Sequence, residues 1–412
     1  MSVGTRALIG LLAGLGAGIA IAAAGGPSLA PIGSVADVVG TLWINAILMT
    51  ILPLVVSKLI VSIAGHEDGR TLGRSGRRAG IWYVVLLTTT AALAAAVMPA
   101  VFTHLPIDQG ASAALRASVP AAGSAAAAVP AAQWVTALVP SNAFRAAADN
   151  AIVPVLVFSI AFALGASRIR RDLREPLVDL FRAVDAAISV LLHWIVALSP
   201  YGVFALGLGL ALRVGAGIVT ALIYYIVVSS VALVLFTAVL YAVVYFVAGV
   251  SPRLFARAAA PAQVVAFGTH SSMASLPAML EGAEHLALSQ TATGFVLPLS
   301  LAVFKYSGPV WFVIVTFFVG RLYDVAIDPS RIVAVVVASV VTSFAIGGVP
   351  SGAAVVVAPV LTAAGLPVEA MGVLLAVDPI PNALRTVANV TGMLAVTAIA
   401  DGRRVAGYAV RP

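Results

Sequence analysis

Hydrophobic residues in this chain gather into long, nearly uninterrupted runs, at about 6–24, 40–64, 81–101, 147–166, 178–197, 217–248, 288–320 and 371–400. A bilayer core of about 30 Å takes roughly 20 apolar residues per helix, so each run is long enough to cross. Two shorter segments, near 259–280 and 332–365, break their apolar runs with Gly, Pro and Ser. Irregular backbone at membrane depth persists only where protein buries it or where it lines a cavity. Paired broken segments point to a transporter's binding site; the competing reading is that Gly and Pro are simply common in membrane helices. The pattern predicts an all-α polytopic membrane protein with eight transmembrane helices and two re-entrant helical hairpins.

Composition strengthens this reading: 61% of the 412 residues are hydrophobic, 9% are charged, and the mean hydropathy is +1.09. The net charge of +7 comes from arginines at span ends, with no aromatic-interleaved basic stripe that would suit nucleic acid. Placing the N-terminus in the cytoplasm puts Arg70, Arg74, Arg77 and Arg78, then Arg168, Arg170, Arg171 and Arg174, then Arg253 and Arg257, then Arg403 and Arg404 on the cytoplasmic side at every even exit. That predicts a multi-pass protein of the cell (inner) membrane with both termini cytoplasmic. The opening run resembles a signal peptide but is long enough to span, and is read as the first helix. ASAALRASVPAAGSAAAAVPAAQ reads as a flexible outer loop without chemistry.

Catalysis finds no support. There is no HExxH, no Gly-x-Ser-x-Gly, no cysteine, and the histidines at 66, 104, 193, 270 and 285 lack ligand spacing. No metal site and no cofactor is expected. GLGAG at 14–18 lies inside the first span, where small residues serve helix packing.

The last run is different. Asp378, Asn382, Arg385, Asn389 and Met393 are spaced 4, 3, 4 and 4 apart, which lines them along one face of a helix. A charge at membrane depth costs at least about 2.5–3.5 kcal/mol, so it usually faces a cavity or a partner. Arg385 is permanently cationic and planar, and suits a carboxylate; an organic anion is the natural ligand. Two other readings stand beside this: a buried Asp378/Arg385 pair that only ties the structure together, and Asp378 as a helix cap ahead of Pro379 and Pro381.

These residues bring out a family resemblance. ALVPSNAF, YGVFAL, HSSMASLP, GGVPSG and above all DPIPNALRTVANVTG resemble the dicarboxylate/amino acid:cation symporters, the glutamate transporter family, over nearly the whole chain. The resemblance implies the glutamate transporter fold, assembled as a homotrimer. It implies scaffold helices one and two in 1–80, a transport-domain helix three in 81–101, an outer loop and scaffold helices four and five in 102–215, and the rest of the transport domain in 216–412. It further implies that Arg385 binds the substrate's side-chain carboxylate, that Asn389 and Thr386 are ligand positions, that Ser272 is a first-hairpin contact, and that Val349 to Gly352 form the second-hairpin gate.

The pattern also departs from the family. Where its amino acid carriers hold an ammonium with aspartate, this chain has Asn382, which favours a dicarboxylate over an amino acid. The family's Asn-Met-Asp-Gly-Thr motif aligns with Lys305, Tyr306, Ser307, Gly308 and Pro309, so one sodium-binding aspartate is Ser307. A second is Met393, a poor ligand for a hard cation. Thr88 and Thr89 match surviving oxygen ligands. Lys305 is expected to supply a built-in positive charge near the lost sodium position, paired with Asp378, with proton coupling open to both groups; alternatively Lys305 snorkels to the interface. His270, at the first-hairpin tip, either senses pH or bonds the backbone.

The sequence thus points to a secondary active transporter of a small organic anion, working by an elevator mechanism in the bilayer, with sodium coupling weakened and possibly replaced by protons. The alternatives are a sodium-coupled glutamate/aspartate symporter and an uncoupled anion uniporter or channel.

Overall fold

The computed structural model describes residues 3–24, 30–65, 74–105, 139–149, 152–214, 217–290, 292–344, 346, 356–371, 374 and 377–402. Among them every regular element is helical. The first three helices are α1 (Val3–Ala24), α2 (Ala30–Ala64) and α3 (Arg74–Phe102). A short α4 (Ala143–Ala148), capped by the Asn142 side chain accepting from the Arg145 N–H, leads into α5 (Ile152–Ala166). Then come α6 (Arg171–Ala197), α7 (Ser199–Val214) and α8 (Gly217–Ala248). The low-complexity stretch at 111–133 lies outside the described residues.

Among the described residues six stretches are long and apolar enough to cross a membrane, namely 31–61, 76–102, 171–197, 218–248, 292–322 and 380–401. Their surroundings separate them: the window in 171–197 is only 11% buried inside the protein, whereas those in 292–322 and 380–401 are 89% and 83% buried.

Glycines explain how α1 docks. A Cβ at Gly10, Gly14 or Gly18 would stand 2.4, 2.3 or 2.8 Å from the carbonyl oxygens of Pro200, Phe204 and Leu208. Three glycines four apart make one smooth face on α1, and α7 lies directly on it. The packing role expected for GLGAG is what the structure shows. Helix α7 itself was missing from the hydropathy reading, since Ser199, Pro200 and three glycines dilute its apolar run.

Both broken segments form helical arms. The first hairpin is α9 (Pro252–Thr269), a turn at 270–275, and α10 (Leu276–His285). Its start is set by Ser251, whose side chain caps Leu254, with Pro252 at the first helical position. Its arms press together where a Cβ on Gly282 would meet the Ala258 carbonyl at 2.3 Å. Of the second hairpin, α11 (Pro329–Ser343) and α12 (Ala358–Ala363) are described. Its tip, including Val349 and Gly352, lies outside the described residues.

The run at 288–320, expected as one span, is broken. A π-helical turn at Ala292–Val296 passes into α13 (Leu297–Val303), the chain extends at Phe304, and α14 (Ser307–Leu322) starts anew. The final helix, α15 (Pro379–Asp401), packs against α8, α9 and α3. One buried apolar cluster joins α1–α3, α5–α8, α11, α12 and α14; another joins α3, α8–α10, α13 and α15.

Candidate functional site

The break in the seventh run and the polar face of α15 meet. A Cβ on Gly392 would lie 2.8 Å from the Tyr306 Cβ, and one on Gly308 would lie 2.4 Å from the Ser343 hydroxyl at the end of α11. Glycine at both positions lets α15, the α13/α14 break and the inner end of the second hairpin's first arm approach at backbone distance. Tyr306 anchors the break by donating its hydroxyl to the Phe236 carbonyl of α8 at 2.9 Å.

Arg385 is the largest charged group in this core, 2% exposed, with Asp378 at 1%. Its Nη2 donates to Asp378 Oδ1 at 2.6 Å and to Asn382 Oδ1 at 3.0 Å. Its guanidinium carbon lies over the Trp311 ring, 4.1 Å from the centroid, and the Trp311 Nε1 donates to the Tyr225 hydroxyl at 2.8 Å. Nε and Nη1 of Arg385 are buried and have no hydrogen-bond partner among the described residues. Leaving a buried charged donor unbonded is costly, and the demand is met by an acceptor such as a carboxylate.

The two asparagines reveal the polarity of the site. Asn389 Oδ1 accepts from the Ser307 backbone N–H at 2.9 Å and from its hydroxyl at 3.0 Å. A backbone N–H can only donate, so the Asn389 atom facing it is the oxygen and its NH2 is turned elsewhere. The same reasoning holds at Asn382, whose oxygen faces a guanidinium. Both amides thus have their oxygens bonded inside the protein, which leaves the NH2 groups as the donors of this face. Thr386, 5% exposed, donates its hydroxyl to the Asn382 carbonyl at 2.7 Å and keeps its lone pairs.

Ser307, predicted as a coupling position, begins α14 and binds Asn389, predicted as a substrate position, so the two share one hydrogen-bonded unit. Lys305 is buried at the break, not snorkelled, and it is not paired with Asp378. Its Nζ donates to the Leu301 carbonyl at 2.8 Å, and its electrostatic neighbour is Lys58 of α2. The reason is local. The extended residue Phe304 turns Lys305 back along α13, while Arg385, two turns from Asp378 on the same helix, takes the carboxylate. Asp378 makes no side-chain cap to α15 either.

Other expectations separate from the cluster. Ser272 is buried at the first-hairpin turn, with no hydrogen bond to α15 among the described residues. Thr88 and Thr89 are exposed; the buried member of that run, Thr90, bonds the Leu86 carbonyl at 2.7 Å. Met393 is fully buried in the apolar cluster. His270 ends α9 in the left-handed conformation, φ 55°, its main-chain N–H bonded to the Ala266 carbonyl. Among the described residues no group of three His, Cys, Asp or Glu is placed to hold a metal. The sequence reading missed Trp311 and Tyr225, which carry no charge and sit in runs where any aromatic passes for core. A signal for the helix break was present in Lys305–Pro309, where a proline enters the first turn of α14.

Comparison with known proteins agrees with this geometry. The sequence matches the sodium:dicarboxylate symporter family over residues 4–403. It is 28% identical to the proton/glutamate-aspartate symporter of Escherichia coli (strain K12) over 88% of this chain and 84% of that protein. It is 27% identical to the proton/sodium-glutamate symport protein of Bacillus subtilis (strain 168), over 86% of this chain and 82% of that one. To C4-dicarboxylate transport protein 3 of Ralstonia nicotianae the identity is 28%, over 94% and 85%. With a match spanning nearly its whole length, the buried arginine helix and both hairpins included, the chain belongs to the sodium:dicarboxylate symporter family.

Proposed function

We propose that this multi-pass membrane symporter carries a small C4-type dicarboxylate in preference to an amino acid, and that protons replace sodium as the coupling ion. The observation that carries the proposal is the bonding of the α15 face. Arg385 keeps two buried donors, and Asn382 and Asn389 turn their amide donors outward while their oxygens are taken. Donors predominate among the groups left for a ligand, with the lone pairs of the Thr386 hydroxyl beside them. An amino acid would bring an ammonium that meets no acceptor at Asn382, where a carboxylate would be needed to select it. Relatives named for glutamate, aspartate and C4-dicarboxylates bracket this choice.

Coupling follows from the same bonds. Asp378 occupies Nη2, the nitrogen common to the side-on (Nε/Nη2) and end-on (Nη1/Nη2) forks of a guanidinium. A substrate carboxylate binds in bidentate fashion by displacing Asp378, and a displaced carboxylate in a dry interior is neutralised by a proton. Lys305, Ser307 and Met393 stand where sodium-binding side chains are expected, so a fixed ammonium supplies charge that an imported cation would otherwise bring. Val349 and Gly352 are assigned to the gate over this site and Ser272 to its first-hairpin side. In this reading α3, α8 and the elements from α9 to α15 move as a transport domain against α1, α2 and α4–α7, in a homotrimer of the inner membrane with cytoplasmic termini.

Uptake of labelled succinate, malate, fumarate, aspartate and glutamate into liposomes holding the purified protein tests the proposal, with proton and sodium gradients imposed separately. Accumulation of the dicarboxylates driven by protons alone is expected. Accumulation that requires sodium, or that favours aspartate and glutamate, would reject it, and equilibration without accumulation would make the protein a uniporter.

A further inference from the structure

We infer that Trp311, held in place by Tyr225, is the residue that sets the specificity of Arg385, because it fixes the plane in which the guanidinium can be approached. The inference rests on the reading of Arg385 as the carboxylate ligand. Three buried side chains from three helices form the stack: Tyr225 of α8, Trp311 of α14 and Arg385 of α15. The guanidinium carbon stands 4.1 Å from the indole centroid, a cation over a ring face. The indole cannot rotate away without stranding its buried Nε1, which donates to the Tyr225 hydroxyl at 2.8 Å.

The guanidinium is therefore constrained twice. The Trp311 ring stands 4.1 Å from the guanidinium carbon, and before a ligand arrives Asp378 and Asn382 hold Nη2. A planar cation held by a ring contact and by the bonds of one nitrogen has a restricted orientation. Its two unbonded donors, Nε and Nη1, then point in one plane, and a carboxylate must arrive in that plane. An aromatic acid that would approach the guanidinium from the side of Trp311 finds the indole already there. Trp311 is thus a positioning residue that selects slender, in-plane carboxylates and rejects acids that bind by stacking. Its action needs neither a charge nor a contact with the substrate, and so sequence spacing does not reveal it.

The test uses the full chain in liposomes, with labelled succinate as substrate and benzoate as competitor. Trp311→Leu removes ring and donor, Trp311→Phe keeps a ring without the donor, and Tyr225→Phe removes only the acceptor. Trp311→Leu is expected to raise the KM for succinate about tenfold, the size of one cation–π contact in a dry site, with Vmax changed less than about twofold. Benzoate, inert toward the parent protein, should then inhibit. Trp311→Phe and Tyr225→Phe should shift KM in the same direction by smaller factors. A lowered Vmax with unchanged KM and no benzoate inhibition in all three variants would reduce Trp311 to a packing residue and overturn the inference. If Trp311→Leu does not fold, Tyr225→Phe decides, and an unchanged KM there overturns it equally. A parent protein that takes up no dicarboxylate would instead reject the reading of Arg385.

Discussion

Lys58 of α2 and Asp185 of α6 form an ion pair at 2.9 Å, and Arg385 and Asp378 form one at 2.6 Å where α15 begins. Both lie within apolar helices, and by charge count they are alike. The first joins two helices, its side chains are 19% and 27% exposed, and the ammonium reaches both carboxylate oxygens, the second at 3.2 Å. The second joins residues of one helix, is sealed from solvent, and leaves two guanidinium donors without a bond. A partly exposed pair between helices holds a structure together; a sealed pair that leaves two guanidinium donors unbonded holds a charge ready. The difference lies in which donors remain, not in the presence of charge.

Breaking the second pair should do the most damage. Arg385→Ala removes the ion-pair partner of a buried carboxylate, which costs about 3–5 kcal/mol of stability, and it should abolish uptake. Arg385→Lys sharpens the comparison. It restores charge without the planar fork, so thermal unfolding should recover most of the loss while dicarboxylate uptake stays down by about two orders of magnitude, the scale of a charge-assisted bidentate contact. If Lys at 385 transported normally, the pair would be a staple like the first.

An intermediate effect is expected far from either pair. Gly14→Val would place side-chain atoms against the Phe204 carbonyl, where even a Cβ would stand at 2.3 Å. Overpacking of this kind costs about 1–3 kcal/mol, seen as a lower unfolding temperature with little change in KM. The smallest effect belongs to the first pair. Asp185→Asn should cost about 1 kcal/mol, toward the value for exposed pairs, and leave substrate affinity unchanged. A changed KM in that variant would mean that the Lys58 ammonium, the electrostatic neighbour of Lys305, acts on the site.

Much of this was legible in the sequence. The all-helical membrane class follows from run lengths, and Asp378, Asn382, Arg385 and Asn389 share a face because a helix has 3.6 residues per turn. The glycines of α1 were rightly read as packing. Partner choice was not legible. Lys305 and Asp378 are both charged residues in apolar runs, but only the fold shows that Phe304 extends the chain and turns Lys305 toward Leu301. The break at 304–306 was masked by apolar residues on both sides, and Trp311 by its resemblance to any core aromatic. Periodicity reports which face a residue occupies; it does not report which of two charges a third will choose.

The central claim is that Arg385 and the donor-lined face of α15 bind a dicarboxylate without sodium. It is tested most directly by the succinate binding isotherm of the purified protein in choline buffer, repeated with sodium added. The account predicts the same dissociation constant in both, and binding weaker by about two orders of magnitude in Arg385→Lys. Binding that appears only with sodium, or that is undiminished in Arg385→Lys, would contradict it.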